Sequence, residues 1–299
     1  MVAENVRSAS RIGWVRLLGE NRATLVAAVV FVALIAYVVL FPFVSPYDGN
    51  DVQFSEAREL PSPAHPLGTD HFGRDLLTRI ALGGRTTLAI AALALSIILV
   101  VGFLWGAAAA LAGGRVDSVM MRIVDGLFAV PRLPVAIAIL VVLSFHAQNV
   151  PAIVLALSIA GWMLTARLVR GHVLALKSRD FVRAARAVGA GWPRIARRHI
   201  LPNSGGILAV AVLVELPTVV LGEAFLAVLG FGPPAPTATW GNIAYEGWHF
   251  SRMWEMFVPT VAIAAFAISA NVLADGFHDL LDPRRRPQRR TRHRAAPTT

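Results

Sequence analysis

Runs of apolar residues long enough to cross a bilayer decide what this chain can fold into. The first, residues 23–44, contains no charged side chain. About 20 such residues in a helix span the hydrocarbon layer. Lipid offers the backbone no hydrogen-bond partners, so a spanning segment must satisfy its own N–H and C=O groups. Further apolar runs fall near residues 86–112, 118–145, 150–168, 207–229 and 257–277. The expectation is an all-α membrane protein with about six transmembrane helices. Composition agrees, with 56% hydrophobic and only 15% charged residues, a balance foreign to soluble domains.

Arg7, Arg11, Arg16 and Arg22 precede the first run in the manner of a signal peptide. The run is longer than a signal core, however, and Phe43-Val44-Ser45-Pro46 is no small-residue cleavage site, so a retained helix is expected. The third run carries Arg122, Asp125, Pro131, Arg132 and Pro134. Its first part is expected at the membrane interface, with any kink at the prolines.

Basic residues orient the spans. Of 28 Lys and Arg, 22 lie before residue 23, in 113–122, in 167–199 and after Asp282, which places those segments and both termini in the cytoplasm. The expected division is a cytoplasmic segment 1–22, a first helix 23–44 and an extracytoplasmic segment 45–85. A permease-like core follows over 86–281, and then a basic disordered tail, 282–299. In the second outer segment, 230–256, Trp240, Trp248 and Trp254 suit the lipid headgroup region. The tail suits anionic lipid. The net charge of +10 is not a nucleic-acid signature, because no aromatic-interleaved basic face accompanies it.

Several chemistries are excluded outright. With no cysteine there is no disulfide, cysteine-ligated zinc or iron–sulfur cluster. The sequence has no G-x-x-x-x-G-K-[ST] loop, H-E-x-x-H or G-x-S-x-G, so neither ATP binding nor peptide hydrolysis is expected of it. No catalytic, cofactor-binding or metal residue is assigned. His65 and His71 invite a metal reading, but their loop spacing lacks the i,i+4 register of a helical site, and a structural role is preferred. Asp70 and Asp75 beside Arg74 read as local loop pairing.

The segment Gly171–Ser204 is too polar to cross lipid and too long for a simple turn. Within it, Asp180–Gly189 reads as a short amphipathic helix closed by Gly189, and Pro193 opens a second basic helix. Here the sequence resembles the inner-membrane permeases of binding-protein-dependent ABC importers. Arg183-Ala184-Ala185, Gly189 and Leu201-Pro202 keep the spacing of that family's cytoplasmic loop, with Arg183 where the family has Glu. His65-Pro66-Leu67-Gly68-Thr69-Asp70-His71-Phe72-Gly73-Arg74-Asp75, Gly84-Arg85-Thr86-Thr87-Leu88, His199-Ile200-Leu201-Pro202-Asn203, Leu229-Gly230-Phe231-Gly232, Trp240-Gly241-Asn242 and Leu281-Asp282-Pro283-Arg284 are similar to the C-type subunits of peptide and nickel systems.

The resemblance implies a type I ABC importer permease fold in the bacterial cytoplasmic membrane. It implies four kinds of surroundings: a second homologous permease, two cytoplasmic ATPases that bind ATP and Mg, an extracytoplasmic substrate-binding protein, and the bilayer. Arg183, Ala184, Ala185, Gly189, Ala190, Leu201 and Pro202 become the expected ATPase-coupling residues. The expected cargo is a short peptide, with nickel or another small solute as the alternative. Glu215, Glu223, Asn271 and Asp275 are the polar residues expected either to line the pathway or to bond within and between subunits. These acids alone would support a proton-coupled carrier, but no internal repeat accompanies them.

Overall fold

The computed structural model describes residues 22–144 and 150–281. Residues 1–21 and the 282–299 tail, with the N-terminal and tail expectations that fall on them, lie outside the described residues. Among the described residues the chain is helical, with one isolated bridge, Thr69 to Asp75, and no strand. The helices are α1 (Arg22–Val44), α2 (Leu76–Ala112), α3 (Gly114–Phe128), α4 (Arg132–Ser144), α5 (Val150–Lys177), α6 (Asp180–Ala187), α7 (Trp192–Ile195), α8 (Leu201–Asn203), α9 (Gly205–Leu226), α10 (Trp240–His249) and α11 (Met253–Leu281). A π turn, Ala196–Ile200, joins α7 to α8, and another, Ala227–Phe231, follows α9.

Among the described residues five segments are long and apolar enough to span a membrane, and α3 with α4 supplies a sixth only if the bent pair is one span. That pair bends by 86°. Pro131 lacks the N–H that would continue α3, and its ring disfavours a helical Val130 before it. Pro134 sits in the first turn of α4, where a missing N–H costs nothing.

Several span edges differ from the sequence expectation. α2 begins at Leu76 rather than near 86, because Asp75 caps it by accepting from the Thr78 N–H at 2.8 Å. At about 1.5 Å per residue its 37 residues run to roughly 55 Å, well past the ~30 Å hydrocarbon layer. α5 continues to Lys177 rather than 168, so Gly171 opens no loop. Arg170 and Arg167 remain helical by pairing with Asp117 and Asp125 of α3 at 2.6 and 2.7 Å. α11 starts at Met253 rather than 257.

Small residues let α2 and α5 lie close together. A Cβ on Gly102 would stand 2.6 Å from Cβ of Thr165, and one on Gly106 would overlap the Ala166 carbonyl oxygen. The G-x-x-x-G of α2 therefore serves packing inside the chain. The main core gathers α1, α2, α4, α5, α9 and α11 around residues such as Ile90, Ile98, Leu157, Val220 and Phe266. Trp240 belongs to it. It is fully buried, donates Nε1–H to the Ile80 carbonyl at 2.9 Å, and lies against Gly84, which corrects its expected place at the headgroups. Trp248 and Trp254 do remain exposed. A second cluster, including Ala110, Val173, Val182, Ile195 and Ile200, roots α6 and α7 on the adjoining ends of α2 and α5.

Candidate functional site

α6 is short but sharply specified. Asp180 in its first turn and Arg186 in its last complement the helix dipole. Its end is a Schellman motif: the Ala190 N–H bonds the Ala185 carbonyl at 3.0 Å and the Gly189 N–H bonds that of Arg186 at 2.9 Å. Gly189 has φ +87°, the left-handed region a side chain resists. Among the described residues, apart from its chain neighbours, none has an atom within 4 Å of where its Cβ would be. Glycine is required there by backbone conformation, and the space beyond it is open.

One face of this helix is anchored and the other is offered outward. Val182 is buried in the second cluster and Ala185 packs on it. Trp192 receives the Lys177 ammonium at 4.8 Å and the Arg186 guanidinium at 4.7 Å over its ring, and Phe181 leans on His199 at 5.7 Å. Ala184, Ala187 and Gly189 are exposed, as are Val188 and Arg183. Leu201 and Pro202 lie exposed on α8, after the π turn, and Ala190 is half-buried beside the cap. The predicted coupling residues thus fall on one end of the bundle, in two short helices tied by Phe181 and His199. Around them Arg179, Arg194, Arg197 and Arg198 are exposed as well.

The four polar residues of the spans separate into two kinds. Glu215 and Glu223 are buried. Glu215 pairs with Arg132 of α4, Oε1 to Nη2 at 2.9 Å and Oε2 to Nη1 at 3.0 Å. Glu223 Oε2 accepts from the Thr87 hydroxyl at 3.2 Å, and that hydroxyl accepts from the Trp240 N–H at 3.1 Å. These are internal bonds between helices. Asn271 and Asp275, one turn apart on α11, are exposed, and neither has a polar partner among the described residues.

The opposite end of the bundle holds a network the sequence reading missed in part. Arg74 and Asp70 pair locally at 2.5 Å, as expected, but Arg74 also reaches Glu246 of α10 at 2.7 Å. Arg79 holds both oxygens of Glu246 at 3.0 Å. The two histidines go to different partners. His65 Nδ1 meets Asp75 at 2.9 Å, and His71 Nδ1 meets Glu255 of α11 at 3.0 Å. Ligating atoms of Asp70, His71 and Glu246 do lie within 4.8 Å of one another. The carboxylates among them are already committed to Arg74 and Arg79, whose charges oppose a cation, so the cluster is an ion-pair clasp. The available signal was the presence of Glu246 and Glu255 in a segment facing unpaired arginines; their sequence distance hid it.

Comparison with known proteins gives a consistent set. Residues 98–287 match the family described as binding-protein-dependent transport system inner membrane component. The oligopeptide transport system permease protein OppC of Bacillus subtilis is 37% identical over 269 residues, 89% of this chain and 87% of that protein. The dipeptide transport system permease protein DppC of the same organism is 35% identical over 274 residues, 91% of this chain and 85% of its own. OppC of Escherichia coli K12 is 34% identical over 271 residues, 89% of each chain. A solved structure of the MetNI methionine ABC transporter in an inward-facing conformation superposes with a TM-score of 0.57 at 19% identity, covering 69% of this chain and 97% of that one. That likeness speaks to the fold.

Proposed function

This chain belongs to the binding-protein-dependent transport system inner membrane components, and we propose that it is the permease of an ATP-driven importer of short peptides. The observation that carries this reading is the near-full-length similarity to peptide permeases, 37% identical across 89% of the chain. A second permease completes the pathway, two cytoplasmic ATPases supply the work, and an outer binding protein delivers the peptide. Such a subunit needs no catalytic group of its own. Its task is to join movement of the ATPases to rearrangement of the spans.

In this reading α6, with Arg183, Ala184, Ala185 and Gly189, seats in the ATPase, while Ala190 and Leu201-Pro202 support its root. The geometry is suited to it. α6 is fastened through Val182 to the ends of α2 and α5, so a displacement of α6 is carried directly into two spans. The α6 end is cytoplasmic, as its concentration of Arg and Lys requires, and the His65 end faces outward. Asn271 and Asp275 face the second permease.

The test is ATP-dependent uptake of trialanine into vesicles containing the full complex. Uptake that stops when ATP is depleted under a maintained proton gradient is the expected result; uptake that follows the gradient instead overturns the proposal. Orientation is tested separately in the cysteine-free chain. Asn50→Cys should react with an impermeant thiol reagent in sealed cells and Ser178→Cys should not; the reverse pattern overturns the orientation.

A further inference from the structure

A cavity of about 540 Å³ lies between α4, α5 and α9. Its wall is mostly apolar, with Leu133, Leu157, Val219 and Phe225 among the lining residues, and among the described residues Arg132 is the one charged side chain that lines it. A cation at membrane depth is costly and calls for a reason. Glu215 keeps it there: the carboxylate is 1% accessible behind the wall, while the Arg132 side chain is 30% accessible.

The donor accounting is informative. Arg132 gives Nη1–H to Glu215, and its Nη2 group serves both Glu215 and the Gly161 carbonyl, at 2.9 and 2.6 Å. A guanidinium has further N–H donors in the same plane. Nε–H has no acceptor among the described residues and is left to donate a single charge-assisted bond to one oxygen of an incoming carboxylate.

We propose that Arg132 is the contact in this cavity for the C-terminal carboxylate of a passing peptide, and that Glu215 is its positioning residue. The proposal rests on the peptide-import reading above. A C-terminal carboxylate is a feature that all unmodified peptides share and the one a guanidinium can bind, and an apolar wall beyond it accepts side chains without hydrogen-bond demands. Because Glu215 already neutralises the guanidinium, the added attraction is weak. Passage needs weak binding, since a site that holds its cargo tightly does not release it.

The test uses the cavity residue Thr218, which is exposed on its wall. Thr218→Cys is placed in the otherwise cysteine-free chain, and its maleimide labelling is followed in the purified complex without binding protein. Trialanine should protect at about tenfold lower concentration than trialanine amide, the difference expected for a charge-assisted hydrogen bond, and Arg132→Gln should erase that difference. Equal protection by both peptides, protection by neither, or a difference that survives Arg132→Gln overturns the proposal. Arg132→Gln leaves Glu215 buried without its counter-charge, so Arg132→Gln with Glu215→Gln is measured beside it. Replacing both members of a buried pair is far milder than removing one, and the same outcomes apply. Trialanine uptake by the wild-type complex separates the two readings. If uptake is absent the importer reading fails, whereas normal uptake without carboxylate-dependent protection removes only the role of Arg132.

Discussion

The two ends of the helical bundle handle charge in opposite ways. At the His65 end, Asp70, Arg74, Arg79 and Glu255 are buried, and the contacts of Arg74 and Arg79 with Glu246 and of His71 with Glu255 tie the loop before α2 and the first turn of α2 to α10 and α11. At the α6 end, Arg179, Arg183, Arg186, Arg194, Arg197 and Arg198 are all exposed. The nearest anion to Arg183, Asp180 at 4.0 Å, is itself fully accessible. Buried charges that satisfy one another specify how a chain closes on itself. Exposed charges of one sign beside an uncovered stripe of small residues leave a surface that a partner can complete. The His65 end is finished by this chain; the α6 end is not.

If that contrast is right, breaking the clasp should damage the chain itself. Arg79→Ala carries the largest expected effect. Arg79 is 1% accessible and holds Glu246 with two contacts of 3.0 Å while standing 3.5 Å from Asp70. Its removal leaves two carboxylates against Arg74 alone. Loss of one member of a buried pair costs about 3–5 kcal/mol, so the purified complex should melt well below wild type and be opened faster by protease. Intact thermal stability in Arg79→Ala would show that the clasp is ornamental.

Next in size is Gly189→Val, whose damage should be functional rather than global. Holding a β-branched residue at φ +87° costs about 1–2 kcal/mol or more, and relief comes by undoing the Schellman cap. Among the described residues nothing beyond its chain neighbours lies where the new side chain would begin, so the spans are undisturbed and membrane insertion should match wild type. Uptake should be lost. Normal uptake with normal recovery of the ATPases would remove α6 as the coupling element. Retained ATPase recovery with lost uptake would place the fault in transmission.

Much of this was legible in the sequence, and for identifiable reasons. The spans are written in long, largely apolar runs, and α6 in a local pattern that Gly189 closes. Local signals survive without a structure. The errors arose where a side chain answers to something distant. α2 was begun too late because Arg79 and Arg85 break its apolar pattern, although Glu246 and the carbonyls of α1 absorb their charge. Trp240 was assigned to the headgroups, yet Gly84 on another helix makes room for it in the core. In the sequence Arg132 is one of several polar residues of the third run, beside the prolines expected to kink it. Its pairing with Glu215 crosses from α4 to α9, and no periodicity announces such a bond.

The smallest expected effect gives the finest test of the comparison. Arg183 stands where the family's loop motif has Glu, and its side chain is 74% accessible. A pair between exposed groups contributes little to folding, so Arg183→Glu should leave the melting temperature of the chain unchanged, in direct contrast with Arg79→Ala. Its consequence lies outside the chain. A basic surface made of this arginine and its neighbours suits carboxylates on the ATPase, and reversing one charge at its centre should lower ATPase recovery by roughly a few-fold at low salt. Salt screens such contacts over about 10 Å or less, so the deficit should shrink as ionic strength rises. Arg183→Gln should fall between the two. Recovery indifferent to both substitutions at every salt concentration would mean that Arg183 is merely solvated, and that the attachment of α6 depends on the shape of its small-residue face rather than on charge.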